Sequence, residues 1–301
     1  VAVGSSAIQT LRAPADSGNR REDLARALRP YLQNPLALFG FVILAVLILV
    51  AFFAPWLAPF DPKAIDLRSK LAPPSGEHPF GTDAAGSDVL SRVIYGSRLV
   101  LMSGVVVLLI SALGGSLLGL FAGFRGGWVD EAIMRVTDMF LAFPGLILAM
   151  AVVAALQRRG ILVVVVAIAI RWWAPYARMM RAQVLTLRQL DYVEAARAIG
   201  TPGGRILARH VLPNAVSPII VQATLDLGYI ILTAAALSFL GFGAQPGEPD
   251  WGRMVADGRE HLRTAWWVVT FPGLAILFTV LAFNLVGDAA RDIFDPRLRG
   301  E

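Results

Sequence analysis

Long charge-free apolar runs alternate with shorter polar stretches along most of this chain. Residues 36–60, 99–124, 139–156, 215–225, 227–245 and 265–287 contain no Lys, Arg, Asp or Glu. A helix needs about 20 such residues to cross roughly 30 Å of hydrocarbon. Asp226 alone separates the fourth run from the fifth, so these join into one span and the pattern predicts five crossings. Residues 160–170 form a further charge-free piece, too short by itself, that runs into Arg171-Trp-Trp-Ala-Pro-Tyr-Ala-Arg178.

Charge distribution decides how that piece is read. Were it not to cross, the loop from Arg171 to Asn214, with seven arginines, would lie opposite the segment bearing Arg12, Arg20, Arg21, Arg26 and Arg29. Cytoplasmic loops carry the excess of Lys and Arg, so the piece is counted as a span. The expectation is an all-α polytopic membrane protein with six transmembrane helices and both termini cytoplasmic. Residues 1–34 form a polar, basic cytosolic arm, and 35–301 form the membrane domain. The first apolar run lies too late and is too long for a cleaved signal peptide.

Composition agrees: 56% of the 301 residues are hydrophobic and only 16% charged, more apolar surface than a water-soluble domain of this size needs for its core. Asn34-Pro35 supplies a capping side chain and then a proline at the first helical position, which starts the first helix there. Ser111, Gly115, Gly119 and Gly123 recur every four residues, so one face of the second span is small enough for a neighbouring helix to approach closely.

The chemistry available is narrow. Zero cysteines removes disulfides, thiolate metal sites and cysteine nucleophiles. His78, His210 and His261 lie far apart with no ligand spacing. The two lysines, Lys63 and Lys70, follow no glycine-rich phosphate-binding pattern. The chain has no nucleotide site of its own. An intramembrane enzyme would need a nucleophile or a metal set that is missing here. Uphill transport would draw on an ion gradient or on another polypeptide.

The polar stretch between the fourth and fifth spans argues for the polypeptide. Tyr192 to Ile199 reads as a short helix with Val193, Ala196 and Ile199 on one side and Glu194 and Arg197 on others. Gly200 ends it, Thr201-Pro202-Gly203-Gly204 makes a turn, and a second helical stretch from Arg205 to Val211 leads to Leu212-Pro213 where the chain re-enters the membrane.

Glu194-Ala195-Ala196, three residues, Gly200 and then Leu212-Pro213 resembles the EAA loop of permease subunits in bacterial ATP-binding-cassette importers. In that family the loop forms a coupling helix seated in a groove of the ATPase subunit. The resemblance implies that the cytosolic loop 188–214 docks through Tyr192, Glu194, Ala195, Ala196, Arg197, Gly200, Leu212 and Pro213. The commoner family pattern has Ile two residues before Leu-Pro, and this chain has His210.

Three further segments narrow the likeness. Phe80-Gly-Thr-Asp-Ala-Ala-Gly-Ser-Asp-Val-Leu-Ser-Arg-Val-Ile-Tyr-Gly-Ser-Arg98 is one. Phe239-Leu-Gly-Phe-Gly-Ala-Gln-Pro246 with Trp251-Gly252 is the second, and Leu281-Ala-Phe-Asn-Leu-Val-Gly-Asp288 with Arg291-Asp292 and Asp295-Pro296 the third. All resemble the C-type permease of dipeptide and oligopeptide importers, and the likeness covers nearly everything after residue 35. It implies the type I importer permease fold, a B-type permease as the other half of the pathway, and two ATPase subunits that bind ATP and Mg. It also implies an external solute-binding protein, membrane lipid around the subunit, a peptide as cargo, and no cofactor or nucleic acid on this chain. Glutathione, haem or nickel are alternative cargoes within the same subfamily. An ion-coupled secondary transporter is the alternative of another class, and the inverted repeats expected of it are not visible.

Within the fifth span, Gln222, Asp226, Tyr229 and Thr233 share one helical face. Asp226 lies near mid-span, where a lone carboxylate costs several kcal/mol and is seldom lipid-facing. Two readings stay open: the stripe lines the translocation pathway, or it is satisfied against a neighbouring helix. The outer loops that carry Glu77, Asp83, Asp88, Glu248, Asp250, Asp257 and Glu260 could meet a solute-binding protein, while each acid singly has the usual fate of an outer-loop carboxylate, which is solvation.

Overall fold

A computed structural model describes residues 34–158 and 160–294. The arm expected over residues 1–34, apart from Asn34, and the Asp295-Pro296 pair lie outside the described residues. Among those described, every named element is helical, with one isolated bridge between Thr82 and Asp88.

Helix α1 (Pro35–Phe52) starts as expected: the Asn34 side-chain Oδ1 accepts from the Leu36 and Ala37 amides at 3.0 and 3.3 Å, with Pro35 in the first turn. The first apolar run does not continue as one helix to residue 60. It breaks at Phe53 ahead of Pro55, and one further helical turn, Ala54–Leu57, follows. Proline disfavours helical geometry in the residue before it and offers no amide to carry the ladder on.

Helix α2 (Val89–Arg125) has 37 residues and starts ten residues ahead of its apolar run. At 1.5 Å per residue it is about 55 Å long, well beyond the hydrocarbon thickness. Its early start is set by Asp88, whose carboxylate caps it by accepting from the Ser91 amide at 2.7 Å. Gly126, at φ +66°, ends it.

The third span differs most from expectation. The polar stretch between the second and third apolar runs is largely helix α3 (Gly127–Ala142), and helix α4 (Gly145–Leu156) leaves it at 94°. Pro144 makes the corner, with Phe143 held in extended geometry at φ −87°, ψ 137°. Helix α5 (Ile161–Leu187) carries the short sixth apolar piece straight through Arg171, Pro175 and Arg178, so the connecting loop starts at residue 188 and not at Arg171.

A short helix α6 (Asp191–Ala198) follows. A helical turn at Gly203–Ile206 and a π-helical turn at Leu207–Val211 then run without interruption into α7 (Leu212–Phe239), which crosses Asp226 as one helix. Helices α8 (Trp251–Gly258) and α9 (Trp267–Phe294) complete the chain. Among the described residues, five helices are long and apolar enough to cross a membrane, and the bent α3–α4 pair makes six if it counts as one span.

The small-residue stripe is the seam between α2 and α5. Ser111 is fully buried. A Cβ on Gly115 would lie 2.1 Å from the Trp173 carbonyl oxygen, and one on Gly119 2.1 Å from that of Ala177. These two helices touch backbone to backbone, which only glycine permits.

At the N-terminal end of α2 the loops fold onto the bundle as a cap. The Trp251 indole N–H donates to the Val93 carbonyl at 2.9 Å and that of Trp267 to the Thr82 carbonyl at 3.0 Å. Phe80 stacks on Phe271 at 3.9 Å. Gly86, at φ +77°, passes so close to Asp66 that any side chain would collide with its backbone.

Candidate functional site

The opposite end of the bundle carries α6. Val193 and Ala196 face inward and are buried among Met180, Val184, Ile206, Val211 and Ala215. Tyr192, Glu194, Ala195 and Arg197 remain exposed. Ile199 was expected beside Val193 and Ala196 but is 84% exposed. The helix ends one residue earlier, at Ala198, and Ile199 leaves helical geometry at ψ 11°, which turns its side chain out.

Gly200 terminates α6 for a definable reason. It sits at φ +79°, its amide donates to the Arg197 carbonyl at 3.0 Å, and the Thr201 amide reaches back to the Ala196 carbonyl at 3.1 Å. This pair of bonds satisfies the last carbonyls of the helix and requires a left-handed residue at the glycine.

Leu212 and Pro213 lie where the helix widens. Pro213 has no amide, and its ring clashes with the carbonyl four residues back in a regular helix. The π turn at Leu207–Val211 relieves the clash, and the Leu212 amide bonds Leu207 instead. Pro213 is exposed, Leu212 half-buried and Val211 fully buried. His210, the departure from the commoner loop pattern, faces α6: its ring lies 6.1 Å from that of Tyr192.

The polar stripe of α7 is divided by its surroundings. Gln222 donates to Asp226 at 2.9 Å. Asp226 is only 7% exposed and sits beside the fully buried Tyr176 of α5, whose hydroxyl makes no hydrogen bond of good geometry. Tyr229, by contrast, is 60% exposed, and the Thr233 hydroxyl is spent on the Tyr229 carbonyl at 2.7 Å. One helical face thus turns an acid inward and a phenol outward.

Three arginines beyond the sequence-predicted set tie this end together. Arg181 makes a bidentate pair with Asp130 at 2.5 and 2.7 Å, Arg178 pairs with Asp138 at 2.5 Å, and Arg188 donates to the Gly123 carbonyl at 2.6 Å. They fasten α3 and the end of α2 to α5. The partners of Arg178 and Arg181 lie in the polar stretch that folds as α3, and Arg188, just past α5, takes a backbone carbonyl near the end of α2.

The outer acids correct another expectation. Asp83 accepts from the Ala85 and Ser87 amides and from Arg92, Asp88 caps α2 and meets His78 at 3.0 Å, and Asp250 caps α8 through the Arg253 amide at 2.8 Å. Asp88 and Asp250 are 3% and 4% exposed. Burial pushes the Asp250 carboxyl above its ordinary range, against the lowering effect of the hydrogen bond from the Arg253 amide. Glu77, Asp257 and Glu260 are exposed as expected.

Residues 115–300 match the family described as the binding-protein-dependent transport system inner membrane component, and residues 24–74 match the N-terminal transmembrane domain of oligopeptide transport permease C. The chain is 45% identical over 268 residues to a probable D,D-dipeptide transport system permease protein of Escherichia coli, covering 89% of this chain and 90% of that protein. It is 46% identical over 275 residues to a di/tripeptide transport system permease protein of Pseudomonas aeruginosa, with 89% and 90% covered. A glutathione transport system permease protein of Pectobacterium atrosepticum is 43% identical over 272 residues, covering 90% of each.

Among solved structures, a chain of the MetNI methionine ABC transporter in inward-facing form superposes with a TM-score of 0.51 at 18% identity, covering 68% of this chain and 96% of that one. The likeness at that identity is one of fold. With five apolar helices among the described residues and a bent pair that makes a sixth span, the chain belongs to the inner membrane components of binding-protein-dependent transport systems, the multi-pass permease subunits of ATP-binding-cassette importers.

Proposed function

We propose that this subunit forms half of the pathway by which an ATP-driven importer carries di- and oligopeptides across the cytoplasmic membrane. A B-type permease supplies the other half, two ATPase subunits bind ATP and Mg and dock on α6, and an external binding protein delivers the cargo. Both termini then face the cytoplasm. Peptide cargo follows the relatives' names, and glutathione, carried by the name of another, is itself a peptide.

The observation that supports docking most is the two-faced packing of α6. Val193 and Ala196 anchor it to α5 and α7, while Tyr192, Glu194, Arg197 and Ile199 stand free of the bundle. An exposed isoleucine between charged residues is a contact surface awaiting a partner. Because α6 joins α5 to α7 through short connections, displacement of α6 by an ATPase moves both helices, and α7 carries the Tyr229–Thr233 face assigned to the pathway. Asp226, turned toward Tyr176, positions α7 against α5 and does not itself meet cargo.

Co-expression with the partner subunits tests this. The ATPase co-purifies with the unaltered permease, and Glu194→Arg or Gly200→Trp abolishes its retention while the permease pair stays assembled. Retention unchanged by both substitutions would refute the docking assignment.

A further inference from the structure

We infer that the cavity between the end of α2, the end of α5 and α6 is a binding site for a phosphate group, supplied by an anionic phospholipid headgroup. The cavity holds about 230 Å³ and is lined by Phe124, Arg188, Arg197, Gly203, Ile206 and Val211. Two guanidinium groups face it and no acid does. None of the ion pairs among the described residues involves Arg188 or Arg197. The Arg188 Nη1 is spent on the Gly123 and Phe124 carbonyls, which leaves its Nε and Nη2 without hydrogen bonds. The Arg197 side chain makes none among the described residues.

Two cations converging on one small cavity repel each other unless an anion lies between them. A guanidinium fork matches phosphate geometry better than it matches water. Depth favours a lipid source. Phe124 and Arg188 stand at the ends of two long apolar helices, α2 ending at Arg125 and α5 at Leu187. Ile206 and Val211 give the cavity an apolar floor, 4% and 0% exposed. On the orientation proposed above, this is the headgroup level of the cytoplasmic leaflet, whose anionic lipids favour basic pockets between membrane helices. The bound headgroup would brace the root of α6, so leaflet composition would tune ATPase docking.

The test uses the purified permease pair in nanodiscs of phosphatidylcholine doped with phosphatidylglycerol, with bound lipid read by native mass spectrometry. Phosphatidylglycerol is retained in preference to phosphatidylcholine, and Arg197→Gln and Arg188→Gln each weaken retention about fivefold. Arg197 is exposed, so its variant assembles even if the Arg188 variant does not. Displacement by millimolar inorganic phosphate would support the phosphate site but assign it a soluble source. Equal retention by the variants, or no preference over phosphatidylcholine, overturns the proposal. So does expulsion of the lipid when the ATPase is added, which would give the cavity to a partner carboxylate. ATPase retention, measured on the same samples, reports separately on the docking of α6.

Discussion

The two ends of this bundle use their polar residues in opposite ways. At the cap, Asp83, Asp88, Asp250, Arg92, Trp251 and Trp267 are spent on one another and on backbone groups within the chain. At the end that carries α6, Tyr192, Glu194, Arg197 and Ile199 are exposed and only Val193 and Ala196 of that helix are buried. A closed network is costly to disturb because each buried polar group left unpaired loses its solvation. An open helix held by two apolar anchors can shift at modest cost and offers its outer face to another subunit. The cap is closed on itself, and α6 keeps most of its surface open.

The largest effect should follow from breaking the cap. Trp251→Ala removes a fully buried indole and its bond to Val93, and a loss of about 3–5 kcal/mol is expected. Thermal denaturation in detergent would show a large drop or failure to assemble. A midpoint within a degree of the parent would contradict the cap's structural role.

Gly200→Ala is smaller and falls on the other side of the comparison. Forcing a side chain into the left-handed region costs on the order of 1–2 kcal/mol. That strain stays local to the end of α6, so ATPase retention should fall more than the melting temperature of the permease. The reverse ranking would show α6 to be part of the stability core.

Asp250→Asn sharpens the comparison by pH. Burial raises the Asp250 pKa in the folded state above its unfolded value, so the folded protein holds that proton more tightly. The resulting stabilisation is complete below the unfolded pKa and is lost as pH rises through the folded one. Above the unfolded pKa the buried carboxyl becomes a burden that the unfolded chain does not carry, while asparagine keeps an oxygen for the Arg253 amide. The variant should melt higher at pH 7, on the order of 2 °C, and the advantage should vanish toward pH 4. A constant offset across that range would exclude the ionisation as its cause.

Ile199→Ser should change stability least, within about 0.5 kcal/mol, because the side chain is 84% exposed. Its effect should appear only in ATPase affinity. Unaltered affinity would remove Ile199 from the contact surface.

How much could be read beforehand depends on the distance over which each feature is decided. Asn34-Pro35 announced the start of α1, and the four-residue spacing from Ser111 to Gly123 announced a tight helix seam, because capping and helical periodicity act within a few residues. The left-handed Gly200 was legible for the same reason. The corner at Pro144 was missed although its proline was in view, since proline both kinks and ends helices and only packing chooses the outcome. The buried state of Asp88 and Asp250 was missed because acids in loops are usually solvated, and the groups that enclose them lie elsewhere in the chain.

Sequence alone thus determined a helical membrane subunit, the apolar cores of its spans, and the place of α6 between the fourth and fifth of them, all consequences of apolar length, charge bias and local motif. Only the tertiary structure decided which face of each helix is inside. It turned Asp226 toward Tyr176 and left Tyr229 outside, brought Arg181 to Asp130, and set Arg188 and Arg197 around one cavity. A helical face is defined by residues three or four apart. What that face meets is defined by chain segments dozens of residues away, and no local pattern records them.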